Sequence, residues 1–147
     1  MVIIGCDHAA VSFKKEIIRA LNEQGVQVLD VGADGSAASD YPDYAEKVCR
    51  EVLKEKAQKG ILICGTGIGM SIAANKFKGI RCALCADTFS AHAARLHNNA
   101  NILALGCRVI GEGLALDIVD AFLNTEFSKE ERHVRRIDKI TALEKKN

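Results

Sequence analysis

The sequence predicts an α/β fold: one parallel, five-stranded sheet with helices on both faces, in a single domain spanning residues 1–147. Three observations predict it. Apolar, strand-like runs alternate with helix-periodic runs five times. The strand-like runs are continuously apolar, the pattern of strands buried on both faces. No linker, internal repeat or low-complexity tract interrupts the alternation.

The elements follow in order. VIIGC (2–6) is the first strand. Phe13, Ile17 and Leu21 then recur at helical spacing until Gly25 stops the helix. VQVLDV (26–31) is the second strand, and the small-residue loop GADGSAASD (32–40) after it is expected to be mobile. Pro42, the only proline, suits the first turn of a helix running to about residue 57. ILIC (61–64) is the third strand, and a helix to about Lys76 follows its glycine-rich turn. RCALC (81–85) is the fourth strand, and Asp87 and Thr88 can cap the next helix, which runs through His92 to about Leu96. NILALG (101–106) is the fifth strand, and residues 112–123 and 128–144 are helical.

Composition narrows the function. Lys+Arg 20 against Asp+Glu 19 leaves +1, so neither nucleic acid nor an anionic membrane is drawn to the chain in bulk. No apolar run reaches the roughly 18 residues that span a bilayer. The opening MVIIGCDHAA lacks the basic segment of an export signal, so a cytoplasmic protein is expected. The six cysteines are accordingly read as free thiols. Cys82 and Cys85 stand three apart in a strand and face opposite ways, so they are expected neither to share a metal nor to form a redox pair.

In a parallel α/β sheet the chemistry lies at the carboxyl ends of the strands. Those ends carry Cys6-Asp7-His8, Cys64-Gly65-Thr66, Ala86-Asp87 and Gly106-Cys107-Arg108. The second is the most unusual: ILICGTGIGMSIAANK (61–76) places Gly65, Gly67 and Gly69 between a strand and a helix. Such a turn exposes bare N–H groups that suit a phosphate, a developing negative charge or water. Met70 breaks the dinucleotide pattern G-x-G-x-x-G, and Met70-Ser71 replaces the Lys-Ser/Thr of a P-loop. Asp7-His8 also reads as a helix cap. His97-Asn98-Asn99 enters the fifth strand from its other end, so joining the site requires a loop folded beside the sheet or a second subunit. His92 and His97 are split across a helix and no metal-ligand spacing appears, so no metal is expected.

The segment KEERHVRRIDKITALEKK (129–146) has seven basic residues against four acidic ones. Arg132 and Arg136 share one helix face, with Val134, Ile137 and Thr141 roughly opposite. The arginines are either a solvated face or a two-pronged phosphate clamp. A terminal helix with two useful faces can also reach a partner subunit.

GCDHA, DYPDYA, the glycine-turn string, GIRCAL, HNNAN, LGCRVIG and RHVRR together resemble the type B ribose-5-phosphate isomerases, over essentially the whole chain. That family groups with the galactose-6-phosphate and allose-6-phosphate isomerases. The resemblance implies a Rossmann/flavodoxin-like αβα sandwich, homodimers sometimes paired into tetramers, active sites between subunits, and isomerisation of ribose 5-phosphate to ribulose 5-phosphate without metal or cofactor. It matches Cys64 to the catalytic base and His97 to the group that opens the furanose ring. It matches Asp7, His8, Gly65, Thr66, Gly67, Ile68, Gly69, Asn98, Arg108, Arg132 and Arg136 to substrate-binding positions. One branch of the family has a glutamate base where this chain has Met70; methionine cannot take a proton, so Cys64 is left as the base.

The chemistry suits these residues. Isomerisation moves a proton between C2 and C1 of the open sugar, and charge builds on the neighbouring oxygen. A thiolate can take that proton, and helix N-termini favour thiolates. The N–H groups of residues 65–69 can then stabilise the enediolate, where one donor is typically worth on the order of 3 kcal/mol of barrier. Thr66 can shuttle the hydroxyl proton. The phosphate is expected at the arginine end, with Arg132, Arg136, Arg108 and His8, and His97 acts as acid and base in ring opening. A six-carbon substrate is the main alternative. A flavin module is poorly served by a chain with no tryptophan and two tyrosines. A non-catalytic subunit is at odds with the joint presence of Cys64, His97 and Arg136.

Overall fold

The structure, a computed structural model, describes residues 1–55 and 58–146. Its strands are β1 (Val2–Cys6), β2 (Val28–Asp30), β3 (Lys59–Cys64), β4 (Cys82–Leu84) and β5 (Ile102–Gly106). Its helices are α1 (Val11–Glu23), α2 (Tyr41–Lys54), α3 (Ile68–Ala74), α4 (Thr88–Leu96), α5 (Glu112–Asn124) and α6 (Glu131–Leu143). All strand pairs are parallel, in the order β2-β1-β3-β5-β4.

The layers follow from the apolar stripes. Phe13, Ile17 and Leu21 of α1, Ala91 and Ala94 of α4 and Ile118 and Phe122 of α5 pack on one face of the sheet with Ile4, Ile61 and Leu103. Val48 and Val52 of α2 and Met70 and Ala74 of α3 pack on the other with Ile3, Leu62 and Ile102. Each of the larger of these side chains stabilises by roughly 1.5–3 kcal/mol relative to exposure. The central strands β1 and β5 are wholly buried, and β3 is buried beyond its first residue. The edge strands β2 and β4 depart from the expected two-sided burial: Leu29 and Leu84 are exposed, because no helix covers the sheet margin. Cys82 joins one core and Cys85 the other, so the C-x-x-C pair does face opposite ways.

Most helix boundaries have local causes. Asp87 caps α4, its carboxylate accepting from the Ser90 N–H. Pro42 sits in the first turn of α2, which ends at Lys54; residues 56 and 57 of the longer helix expected there lie outside the described residues. Gly25 (φ +75°) closes the turn after α1. The loop 32–40, expected to be mobile, is tied at both ends. The buried Lys14 donates to Asp30 Oδ1 (2.6 Å) and to the Ala33 carbonyl (2.7 Å), and the Ser39 hydroxyl accepts from the His8 N–H (3.0 Å). Among the described residues no helix is long and apolar enough to cross a membrane.

The strand order fixes where a ligand can sit. From β1 the chain crosses outward to β2, and from β3 it crosses the other way, toward β4 and β5. The two connections diverge above the carboxyl ends of β1 and β3, leaving a crevice at that switch point.

Candidate active site

Three strand ends meet at the crevice. Cys64 closes β3 at 5% exposure, and its Sγ accepts the Gly67 N–H at 3.1 Å. The turn that delivers this N–H needs glycine: Gly67 has φ +77°, and a Cβ there would lie 2.5 Å from Leu84 Cδ1 and 2.9 Å from the Leu105 carbonyl carbon. The turn opens directly into α3, so its amides carry the helix's positive end. Thr66 is exposed, with its Oγ1 accepting from the Ile68 N–H at 3.3 Å.

Beside it, Asp7 extends β1, its N–H bonded to the Ile63 carbonyl at 3.2 Å. Its carboxylate caps a short 3-10 turn, His8–Ala10, by accepting the Ala9 N–H at 3.0 Å. The capping reading of Asp7 is thus realised at the same crevice. His8 is exposed, with its Nδ1 3.1 Å from the Ser39 nitrogen and 3.2 Å from the Ser39 oxygen. On the other side, the Arg108 N–H bonds the Gly65 carbonyl at 3.0 Å. Its guanidinium lies over Gly65, with Nη1 3.3 Å from where a Cβ would be. Tyr41 covers Gly69 from the first turn of α2: a Cβ on Gly69 would fall 2.5 Å from the ring. Tyr41 lies in the DYPDYA stretch, but only the fold brings it onto the turn.

The sulfurs differ. Burial pushes the Cys6 thiol up to about 11, Cys85 to about 11 and Cys49 to about 12. The thiols of Cys6, Cys49 and Cys107 are placed to donate to carbonyls. Among the described residues Cys64 is the one cysteine whose sulfur receives an N–H. Cys107, also at the crevice, is raised by burial and by Asp7, against the pull of Arg108.

A second group forms elsewhere on the same chain. His97 caps the C-terminal end of α4, where the chain turns to enter the amino end of β5, about a strand's length from Cys64. Two arginines hold the turn. Arg81 donates to the carbonyls of Asn98 (3.1 Å) and Asn99 (2.9 Å). The buried Arg95 donates to Asn99 Oδ1 (2.9 Å) and the Ala100 carbonyl (2.6 Å). They fix Asn99 at φ +45°, a conformation asparagine tolerates. The Ser128 N–H bonds the Leu96 carbonyl at 3.1 Å, which brings the start of α6 beside this turn. There the His97 and His133 rings stack, centroids 4.6 Å apart and 14° from parallel.

α6 docks by a different line from the one its sequence suggests. His133, Ile137 and Glu144 turn inward, whereas Val134 and Thr141 are exposed. Glu144 accepts the Gly79 N–H at 2.9 Å, which rotates the helix toward the end of α3. Arg132 and Arg136 stay exposed, and Arg132 pairs with Glu130 at 2.9 Å.

The chain therefore assembles Asp7, His8, Cys64, Gly65, Thr66, Gly67, Ile68, Gly69 and Arg108 at the crevice. It assembles His97, Asn98, Arg132 and Arg136 at the opposite end. Sequence reasoning missed Tyr41, Ser39, Arg81, Arg95 and His133 as parts of these groups. The arginine pair around HNNAN was visible only as charge, and His133 was overshadowed by the arginines beside it. Among the described residues no group of three His, Cys, Asp or Glu side chains is placed to hold a metal ion.

Comparison with known proteins covers nearly the full chain. Residues 2–140 match the family model described as Ribose/Galactose Isomerase. The Bacillus subtilis (strain 168) protein YwlF is 54% identical over 147 residues, covering 99% of this chain and 98% of its own length. Ribose-5-phosphate isomerase B of Escherichia coli (strain K12) is 47% identical over 145 residues, covering 99% and 97%. A solved structure of Clostridium thermocellum ribose-5-phosphate isomerase B superposes with a TM-score of 0.95 at 49% identity, covering 99% of this chain and 97% of that one.

Proposed function

This chain belongs to the Ribose/Galactose Isomerase family, and from that premise we propose that it interconverts ribose 5-phosphate and ribulose 5-phosphate. The observation that carries the chemistry is Cys64 Sγ beside the amides of the turn that opens α3. The Cys64 thiolate removes the proton from C2 of the open aldose. The electron pair moves into the C1–C2 bond, and the former carbonyl oxygen becomes an enediolate oxygen facing the amides of residues 65–69. The thiol returns the proton to C1, while Thr66 passes the hydroxyl proton between the two oxygens. His97 opens the furanose ring, protonating the ring oxygen as the C1 hydroxyl loses its proton. Arg132, Arg136, Arg108 and His8 hold the phosphate, Asp7 orients a hydroxyl, and Asn98 binds a sugar oxygen.

One chain keeps these roles at two ends, so the working site combines the crevice of one subunit with the His97 and arginine group of another. A homodimer, alone or paired into a tetramer, is the assembly this reading requires. Its support is an exposed apolar margin: Ile68 (52%), Ile72 (57%), Leu84 (43%) and Phe89 (79%) lie on α3, β4 and α4 at one edge of the sheet. β4 itself is an unpaired edge.

The test is turnover of four-, five- and six-carbon aldose phosphates with EDTA present. Ribose 5-phosphate is expected to give the highest kcat/KM, unchanged by chelation. Faster turnover of a hexose phosphate would move the specificity to the galactose or allose branch, and no turnover of any would end the proposal.

A further inference from the structure

We propose that His133 is a positioning residue that sets the ring plane of His97. The inference rests on the reading of His97 as the ring-opening group. Its ring lies 4.6 Å from that of His97, centroid to centroid, and 14° from parallel. It is 5% exposed on a helix whose other residues lie mostly in solvent. Its Nε2 is buried with no hydrogen-bond partner among the described residues, so within this chain His133 contributes a flat face rather than a polar contact.

A ring-opening histidine has a particular need for such a neighbour. It must give a proton at one atom and take one at another, so a hydrogen bond that fixes the ring also occupies a nitrogen the reaction uses. A stacked ring fixes orientation and leaves both nitrogens free. The stack also has to tolerate a proton on His97. Burial, then His97 and Arg132, with Arg136 adding, hold the His133 imidazole below its ordinary value, and Glu130 opposes them. The ring turned to His97 thus takes up a proton of its own less readily than a free imidazole. The backbone supports the pose at both ends: Ser128 ties the start of α6 to Leu96, and the His133 N–H bonds the Glu130 carbonyl at 2.9 Å. Arg132 and Arg136 flank His133, so one helix carries both the phosphate prongs and the plate behind the acid–base group.

The experiment is a double-mutant cycle with a conservative rescue, read as kcat and KM on ribose 5-phosphate. His133→Ala is expected to lower kcat roughly 10- to 100-fold, the order that small misplacements cost, with KM changing less than about threefold. His133→Phe keeps a flat ring and is expected to recover most of that loss. In a His97→Asn background, His133→Ala is expected to cost less than about twofold more, because the residue it positions is gone. Loosening of α6 as a whole would raise KM through Arg132 and Arg136 and would persist in that background. The proposal is overturned if the full His133→Ala loss survives alongside His97→Asn, if Phe is no better than Ala, or if Ala costs nothing. His97→Asn at the wild-type rate is a different failure: it removes the ring-opening assignment itself.

Discussion

Cys64 Sγ receives the Gly67 N–H at 3.1 Å, a sulfur and an amide held three residues apart by one tight turn. The donor that touches the sulfur belongs to the same row of amides that would meet the enediolate. In the proposed mechanism the base and its charge-stabilising partners thus come from one strand-to-helix junction.

Removing that sulfur should remove the reaction and little else. Cys64→Ala is expected to lower kcat by about three orders of magnitude or more, with an unchanged circular dichroism spectrum. Cys107→Ala, at the same crevice but with its thiol raised and turned toward the Ala9 carbonyl, should stay within about threefold of wild type. Normal turnover by Cys64→Ala would disprove the base assignment.

Gly67→Ala should damage both stability and rate. The added carbon meets Leu84 and the Leu105 backbone on a residue at φ +77°, at a cost of about 2 kcal/mol or more. A lower midpoint in urea checks the first effect, and steady-state kinetics the second.

Arg81 touches no proposed substrate atom, yet it holds the successive carbonyls of Asn98 and Asn99. Arg81→Ala is expected to cost roughly 10- to 100-fold in kcat through displacement of Asn98 and His97. Arg81→Lys should recover little, since a single ammonium cannot reproduce the fork. A variant with wild-type kinetics would show that the turn holds itself.

Mixing two impaired proteins tests the shared site. Cys64→Ala and His97→Asn chains, refolded together, should regain roughly a quarter of wild-type activity, because half the dimers are mixed and each has one intact pocket. If all groups act within one chain, mixing restores nothing.

Acid should weaken the docking of α6. The His133 imidazole is held below its ordinary value of 6.5, so the unfolded chain takes up that proton first. Stability from this residue is present above about pH 6.5 and is lost as pH falls through the lower folded value. Hydrogen exchange of α6 amides between pH 7.5 and 5 should show the loss, and His133→Phe should flatten it. His97, Arg132, Arg136 and Glu130 face the same ring and stay unchanged in that comparison.

The layers and the crevice were legible because they rest on local signals. Continuous apolar runs gave the buried strands, and glycines gave the turn after Cys64. The register of side chains around that turn was not legible. Tyr41 reaches Gly69, and Ser39 reaches His8, only because a parallel crossover returns the chain over the crevice. α6 misled in a simpler way. Its helical wheel put Val134 and Thr141 inward, but the His97 ring and the Gly79 amide fix the rotation, and both lie far away in sequence. The separation of His97 from Cys64 was readable from the strand direction alone.

The contact between His8 and Ser39 has a consequence for anion capture. A bare Nδ1 meets the Ser39 amide, and a protonated Nδ1 meets the Ser39 oxygen, both within 3.2 Å. The loop therefore accepts either tautomer of the ring and need not turn it. With Nδ1 held by Ser39, Nε2 is the ring nitrogen left for another partner. The phosphate proposed to bind there would meet a ring whose orientation the loop has already set.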